Sequence, residues 1–149
     1  MSHINPVPID TPAIDLTWMV GRVVASVTLL EPLPWRFEFG ENERLDVECL
    51  WRVLRDGRVL LTNEDHGQLF GLQSPVDSAQ EAMKLLAGVP VTSVSIRATT
   101  ADVAIRFQDG TELEIIPTSS GYESWQLRGP DGICYVATGG GAICSWRVG

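Results

Sequence analysis

The sequence lacks any long run of hydrophobic residues. No segment approaches the roughly 18 consecutive apolar residues that a membrane-spanning helix needs. The first ten residues, MSHINPVPID, also lack the basic stretch followed by an apolar stretch that marks a secretory signal. These absences predict a protein that does not cross a membrane, and we expect a cytoplasmic location.

Basic residues are scarce as well. The chain has 11 Lys+Arg against 19 Asp+Glu, which gives a formal net charge of −8. An acidic surface repels phosphate backbones and anionic membranes, so neither nucleic acid nor a membrane is expected as a partner. A basic protein partner is compatible with this charge, although acidic surfaces are also an ordinary route to solubility.

The three cysteines include no CxxC pair and predict free thiols rather than a disulfide framework. Cys134 and Cys144 flank an Ala-Thr-Gly-Gly-Gly turn, and a hairpin there would bring them nearly opposite each other on neighbouring strands. We interpret them as two small buried core residues. A redox pair or half of a metal site is the alternative.

Motifs of catalysis and cofactor binding are missing. No GxSxG or HExxH appears, and the run 139–141 of three glycines lacks the Lys-Ser/Thr and the helix start of a phosphate loop. His66 stands in the turn Asn-Glu-Asp-His-Gly, beside two carboxylates that suit a metal ligand or a base. No second His or Cys lies at ligand spacing, so we interpret this segment as a solvated turn. We expect no catalytic residue, no cofactor and no metal.

What the sequence does contain is an internal repeat. WRVLRDGRVLLTNEDHGQLFGL at 51–72 and WQLRGPDGICYVATGGGAICSW at 125–146 share an opening Trp, an Asp-Gly turn, an apolar strand and a turn that ends in Gly. A repeat indicates architecture rather than chemistry. We expect Trp51 and Trp125 to be buried in equivalent places of a shared core. The alternative is that one of them is an exposed interface anchor.

Hydrophobic periodicity predicts a chain made mostly of strands. A short helix is predicted from Thr11 to Gly21. An amphipathic helix is predicted to begin at one of two alternative N-caps, Ser74 or Asp77, and to end at Gly88. Strands are predicted at 23–30, 35–39, 45–49, 51–55, 58–62, 68–72, 91–98, 102–108, 111–116, 124–128, 133–137 and 142–147.

Strict alternation fixes the expected register of two strands. Leu45, Val47 and Cys49 should face inward while Asp46 and Glu48 face water. In the equivalent strand of the second copy, apolar residues should likewise face inward between Glu112 and Glu114. A slip of one residue would bury carboxylates at a cost of several kcal/mol each, roughly, unless they were paired.

These elements predict a mainly β (α+β) fold. Residues 1–10 are expected to be a flexible arm, and residues 11–149 a single domain made of two copies, 11–73 and 74–149. Each copy is predicted to be a short helix followed by an antiparallel β meander. Because one meander leaves an apolar face uncovered, the two halves should pack by pseudo-twofold symmetry.

The C-terminal third resembles a known family. GYESWQLRGPDG followed by VATGGGAICSW is similar to the signature of small uncharacterised bacterial proteins, a domain of unknown function with the pattern W-x-L-x-G-P-D-G … G-G-G-x-x-x-x-W. The resemblance extends from about Gly21 onward and implies no particular activity. In size, acidity and β content, such families are also similar to bacterial immunity proteins that neutralise toxins.

The leading hypothesis is a non-catalytic binding protein that acts through a protein-protein interface, with toxin neutralisation as one form. The rival is a small-ligand binder or unrecognised enzyme with a pocket between the two halves. Tyr122 belongs to the polar loop Thr-Ser-Ser-Gly-Tyr-Glu-Ser and is a candidate contact for a partner. The candidate interface or pocket residues are Tyr122, His66, Trp125 and Trp51, and a homo-oligomer is left open.

Overall fold

The computed structural model describes residues 14–148, which form eleven strands, one α-helix and three short 3-10 turns. The helix α1 is Ser78–Leu86, and the turns are Thr17–Met19, Asn63–Asp65 and Pro130–Gly132. The strands are β1 Ser26–Leu29, β2 Trp35–Glu38, β3 Arg44–Val47, β4 Leu50–Arg55, β5 Arg58–Thr62, β6 Val91–Ile96, β7 Val103–Phe107, β8 Thr111–Ile116, β9 Trp125–Arg128, β10 Ile133–Gly139 and β11 Ala142–Arg147.

The strands form two antiparallel sheets. Sheet one has the order β1-β2-β3-β9-β10-β11, and sheet two has the order β5-β4-β8-β7-β6. One hydrophobic cluster draws buried side chains from both sheets. Trp51 of sheet two meets Trp35 and Phe37 of sheet one edge to face, with ring centroids 5.3 Å apart in each pair. The mainly β class with antiparallel sheets and one helix is therefore confirmed.

The predicted alternation is observed in both strands. Leu45 and Val47 are buried on β3, while Asp46 points outward and binds Arg36 of β2 through two hydrogen bonds of 2.8 and 3.0 Å. On β8, the buried Leu113 and Ile115 alternate with the half-buried Glu112 and Glu114. Cys49 lies beyond the end of β3 and is only half-buried, but it packs against the core as expected.

The structure does not show two similar halves. Each sheet combines strands of the first predicted copy with strands of the second, because the chain changes sheet after β3 and again after β8. The prediction that each copy forms its own antiparallel meander is therefore wrong. Over the described residues the predicted first helix is a 3-10 turn of three residues. The predicted strand at 68–72 is an irregular segment that contains one turn. The predicted arm at 1–10 lies outside the described residues.

Helix α1 forms as its sequence predicts. Asp77 is the N-cap, and its carboxylate accepts a hydrogen bond of 3.1 Å from the Gln80 N–H, which satisfies one of the free amides of the first turn. The helix buries Ala82 and Leu86 and contacts β1 and β5. This packing places α1 alongside β5, the edge strand of sheet two.

Candidate interaction surface

Large apolar side chains are exposed on β5 and on the loop that follows it. Phe70 is 68% exposed and Leu72 is 60% exposed, although the core between the sheets is well filled. The exposed apolar residues of this segment are Val59, Leu60, Leu69, Phe70 and Leu72. Single exposed apolar residues are normal on proteins, but a group in one segment indicates an interaction site.

These residues border a groove, called here the β5–α1 groove, which lies between β5, the loop 67–77 and helix α1. Its volume is about 750 Å³. Leu60, Phe70, Leu72 and Leu85 supply apolar walls. The charged residues that line it are Asp65, Asp77, Glu81 and Lys84, so its rim has more acidic than basic groups.

The loop that carries Phe70 has a defined backbone. The Gly67 N–H donates to the Val76 carbonyl and the Val76 N–H donates to the Gln68 carbonyl, both at 2.8 Å. These two hydrogen bonds join the ends of the loop. At the tip, the Leu72 N–H donates to the Leu69 carbonyl at 2.7 Å. Phe70 has φ 47° and Gly71 has φ 81°, the signs of a type I′ turn.

His66 joins this loop to the start of α1. Its Nδ1 accepts a hydrogen bond of 3.1 Å from the Ser78 N–H, and its ring stands edge-on to Trp35 at a centroid distance of 5.1 Å. The Ser78 hydroxyl in turn donates to the Thr62 carbonyl at 3.0 Å. These contacts make His66 a positioning residue of the groove, in keeping with its interpretation as a turn residue.

A hydrogen bond and an ion pair fix the positions of Asp65 and Glu81, two of the acidic residues that line the groove. The Asp65 carboxylate accepts from the Thr62 N–H at 3.0 Å, which closes a capping box at the 3-10 turn. Glu81 pairs with Lys84 at 2.9 Å across one turn of α1, and both side chains are largely exposed. Lys84 offsets only one of the three carboxylates, so the rim stays acidic.

Tyr122 lies apart from the residues that line the groove. It is 80% exposed in the loop between β8 and β9, where the Ser119 hydroxyl accepts hydrogen bonds from the N–H groups of Gly121 and Tyr122. The triple-glycine turn packs against this loop at Gly121 and against the loop between β6 and β7 at Thr99. A Cβ at Gly141 would collide with the Thr99 carbonyl oxygen, so close backbone approach requires glycine there.

Trp51 and Trp125 are both core residues, with exposed fractions of 0% and 2%. The Trp125 indole N–H donates to the Ala101 carbonyl at 2.8 Å. The buried Trp51 Nε1 has no hydrogen-bond partner among the described residues. Their predicted burial is confirmed, and the alternative of an exposed anchor is wrong for both.

Cys134 and Cys144 are not directly opposite each other. Cys134 faces Trp146 and Cys144 faces Val136 in the β10–β11 register, so the two cysteines are offset by two residues. Both thiols are free. Cys134 is buried as predicted, but Cys144 is exposed on the edge strand β11, so the interpretation of both as core residues is half wrong.

Sheet two carries a ladder of charges on its outer face. Arg52 of β4 binds Glu114 at 2.7 Å, and Arg106 of β7 binds Glu112 at 3.0 Å. Burial, then a hydrogen bond with Glu114, raises the pKa of Glu112. Burial also acts to raise the pKa of Glu114, but its hydrogen bonds with Arg52 and Glu112 lower that pKa below its ordinary value. A shallow cavity of about 160 Å³ on this face is lined by Arg52, Arg97, Asp102 and Glu114 among others.

Sequence reasoning missed the β5–α1 groove. Leu69, Phe70 and Leu72 fall in the predicted strand 68–72, because an apolar run bounded by turn residues is typical of a strand. A signal was present in Phe-Gly, because a bulky residue followed by Gly between two leucines also suits an exposed turn. Neither this groove nor the cavity on sheet two is lined by Tyr122, His66, Trp51 or Trp125.

Further findings concern the described residues and the comparisons with known proteins. Within residues 14–148, no group of three or more His, Cys, Asp or Glu side chains is arranged to hold a metal ion. No helix in that part of the chain is long and apolar enough to span a membrane. The family model described as a family of unknown function (DUF6188) matches residues 15–147. No curated protein and no solved structure matches the chain significantly.

Proposed function

The chain belongs to the family of unknown function DUF6188, and we propose that it is a non-catalytic binding protein that acts through a protein-protein interface. The observation that carries the proposal is the β5–α1 groove, where Phe70 and Leu72 are exposed beside an edge strand. Apolar area left in water by a folded chain is stabilised when a partner covers it. Neutralisation of a toxin is one form that such binding can take.

The open shape of the groove supports a protein partner. Its volume of about 750 Å³ lies in the range of small-ligand clefts, roughly 300–1,000 Å³, but such clefts enclose most of their ligand and this groove is open to solvent. Aromatic residues such as the exposed Phe70 are enriched at the centres of protein interfaces.

We propose in addition that the two sequence copies are related by a pseudo-twofold axis, with strands exchanged between the sheets. The strand orders support this. When β1 to β5 are matched in turn with β6 to β10, the order β1-β2-β3-β9-β10 of sheet one corresponds to β6-β7-β8-β4-β5 of sheet two. Trp51 and Trp125 then open the corresponding strands β4 and β9.

A cytoplasmic location is part of the proposal. The three free cysteines support it, because thiols stay reduced in that compartment.

The rival function, a small-ligand binder or enzyme with a pocket between the halves, has less support. The two copies meet where β3 pairs with β9 and β4 pairs with β8, and inward residues of these strands, such as Val47, Trp51 and Trp125, are buried. The cavity of about 160 Å³ lies on the outer face of sheet two, where Arg52 and Glu114 of its lining already form an ion pair.

The proposal is tested by capture of partners with matched variants. The tagged parent, Phe70→Asn and Tyr122→Asn are expressed in the source cells, cross-linked and purified, and the retained proteins are quantified by mass spectrometry. Phe70 and Tyr122 are both exposed loop aromatics, so each variant controls for the other. We expect a specific protein that the parent and Tyr122→Asn retain and Phe70→Asn loses.

Two outcomes contradict the proposal. A partner lost with Tyr122→Asn but kept with Phe70→Asn would place the interface at the loop between β8 and β9. Capture that is the same for the parent and Phe70→Asn would show that the exposed groove has no role in binding.

A further inference from the structure

We propose that the occupant of the β5–α1 groove is a cationic, amphipathic segment of another protein, whose apolar side chains cover Phe70 and Leu72 and whose Lys or Arg side chains meet the rim. The inference rests on the proposed function and names the chemistry of the partner. It is carried by the apolar walls, the charge of the rim and the backbone conformation of Phe70.

The apolar walls require an apolar face on the partner. Leu60 comes from β5, Phe70 and Leu72 come from the loop, and Leu85 comes from α1, so apolar groups line the groove from three sides. A segment with hydrophobic side chains on one face covers such a groove, as amphipathic helices and strands do in known recognition modes.

The rim requires positive charge on the partner. Asp65, Asp77 and Glu81 face the groove, with Lys84 as the one basic group of the lining. Lys84 is already paired with Glu81. The whole chain carries a formal charge of −8, so the long-range field attracts the same kind of partner as the local rim.

Phe70 stands in a backbone conformation that does not favour its side chain. A φ of 47° lies in the left-handed region, which Gly and Asn occupy readily and a bulky aromatic does not. Strain of this kind concentrates at ligand-binding positions. The type I′ turn holds the ring of Phe70 out in solvent at the groove, although Asn at this position would relieve the strain.

A second copy of this chain fits less well. Two such grooves brought face to face would place acidic rims against each other, which repels. A direct pairing of β5 with β5 is opposed by the bulge in β5, because Leu61 pairs with Val53 and Val59 with Leu54, leaving Leu60 as the extra residue. Bulges of this kind protect edge strands from pairing.

The test uses a displayed library of short random peptides, selected on the purified full-length chain. Enriched peptides are measured by fluorescence anisotropy against the parent, Phe70→Asn and Glu81→Lys. Tyr122→Asn is the control for Phe70→Asn. Glu41→Lys, which changes the same charge at an exposed residue before β3, is the control for Glu81→Lys.

We expect enriched sequences that combine Lys or Arg with Leu, Ile, Phe or Trp. Their affinity should fall by about tenfold or more with Phe70→Asn and with Glu81→Lys, and stay near the parent value with both controls. Binding should also weaken as salt is added, because charge complementarity is screened.

Enriched sequences that are neutral or acidic yet depend on Phe70 would overturn this inference and leave the proposed function standing. Equal losses with Glu41→Lys and Glu81→Lys would also overturn it, since only the overall field would then matter. Light scattering that shows a dimer of the parent and a monomer of Phe70→Asn would identify a second copy as the occupant and overturn it as well.

Discussion

Phe70 is the residue at which local backbone preference and side-chain placement conflict most. Its φ of 47° costs an L-residue other than Gly, Asn or Asp on the order of 1–2 kcal/mol. Its side chain gains little in return, because most of its surface remains in water. In the proposed function, a partner that buries the ring would offset this cost.

Phe70→Asn should therefore stabilise the isolated protein. We expect a gain of about 1 kcal/mol in the free energy of unfolding, measured by urea denaturation, because Asn occupies the left-handed region at little cost. Tyr122→Asn is the control, since Tyr122 has no left-handed backbone to relieve, and it should change stability little. A loss of stability in Phe70→Asn would mean that the ring packs against the loop and is not held out for a partner.

The cysteines differ in exposure and therefore in reactivity. Cys144 is exposed on β11, Cys134 is buried, and burial raises the pKa of the Cys49 thiol to about 12. Thiolates are the reactive form, so Cys49 should be inert at neutral pH.

We expect a thiol reagent to modify one cysteine of the native protein rapidly and the other two only after unfolding. Mass spectrometry of the native reaction should locate the modification at Cys144, and Cys144→Ser should abolish the fast phase. Fast modification of Cys134 in the native state would show that the β10–β11 hairpin opens.

At the scale of elements, β8 is the strand that joins the charges of sheet two. It lies between β4 and β7 and pairs with both, so Glu112 and Glu114 on its outer side each face an arginine across a strand. The two carboxylates also contact each other, and their pKa values move in opposite directions.

The two glutamates should affect the pH dependence of stability with opposite signs. The pKa of Glu114 lies below its ordinary value of 4.5, so its contribution to stability is present above pH 4.5 and is lost as the pH falls through the folded-state pKa. The pKa of Glu112 lies above 4.5, so its ionisation becomes a cost to the folded state as the pH rises past 4.5.

We therefore expect Glu114→Gln to lose stability relative to the parent as the pH rises from 3 to 7, and Glu112→Gln to gain relative to the parent over the same interval. Urea denaturation at a series of pH values measures both. The same sign for both variants would mean that the contact between the two carboxylates does not set their pKa values.

At the scale of the whole molecule, two tryptophans fill the core that joins the sheets. Trp51 packs against Trp35 and Phe37, and Trp125 reaches the Ala101 carbonyl with its indole N–H. Both side chains are almost fully buried, so both contribute to holding the sheets together.

Trp51→Ala and Trp125→Ala should each lower the free energy of unfolding by about 3–5 kcal/mol, the range for removal of a large buried aromatic. Thermal melts and urea denaturation measure the loss. Trp146→Ala, at an exposed tryptophan of β11, should melt like the parent and serves as the control. A variant of Trp51 or Trp125 that melts like the parent would contradict the role of that residue in the core.

Substitution by Phe should separate the two tryptophans. Trp125→Phe removes the donor to a buried carbonyl and should cost about 1–3 kcal/mol beyond the change in packing. Trp51→Phe removes a buried N–H that has no partner among the described residues, so its cost should be smaller. Equal losses in urea denaturation would show that the hydrogen bond to Ala101 adds nothing.

The sequence by itself determined most strands and the direction in which their side chains point. Alternation of Leu45, Asp46 and Val47 predicted the observed register, and the capping Asp77 predicted helix α1, because both patterns express local periodicity and local hydrogen bonding. The burial of Trp51 and Trp125 followed from their places in the repeat.

Only the tertiary structure decided which strands share a sheet and where the apolar residues of the loop lie. The pairing of β3 with β9 and of β4 with β8 joins segments far apart in the chain, and periodicity within a strand carries no information about its neighbour. Leu69, Phe70 and Leu72 have the composition of a core strand. They are exposed because the hydrogen bonds between the two ends of the loop, at Gly67 and Val76, and the turn at Phe70 direct that segment outward. This exposure forms the groove.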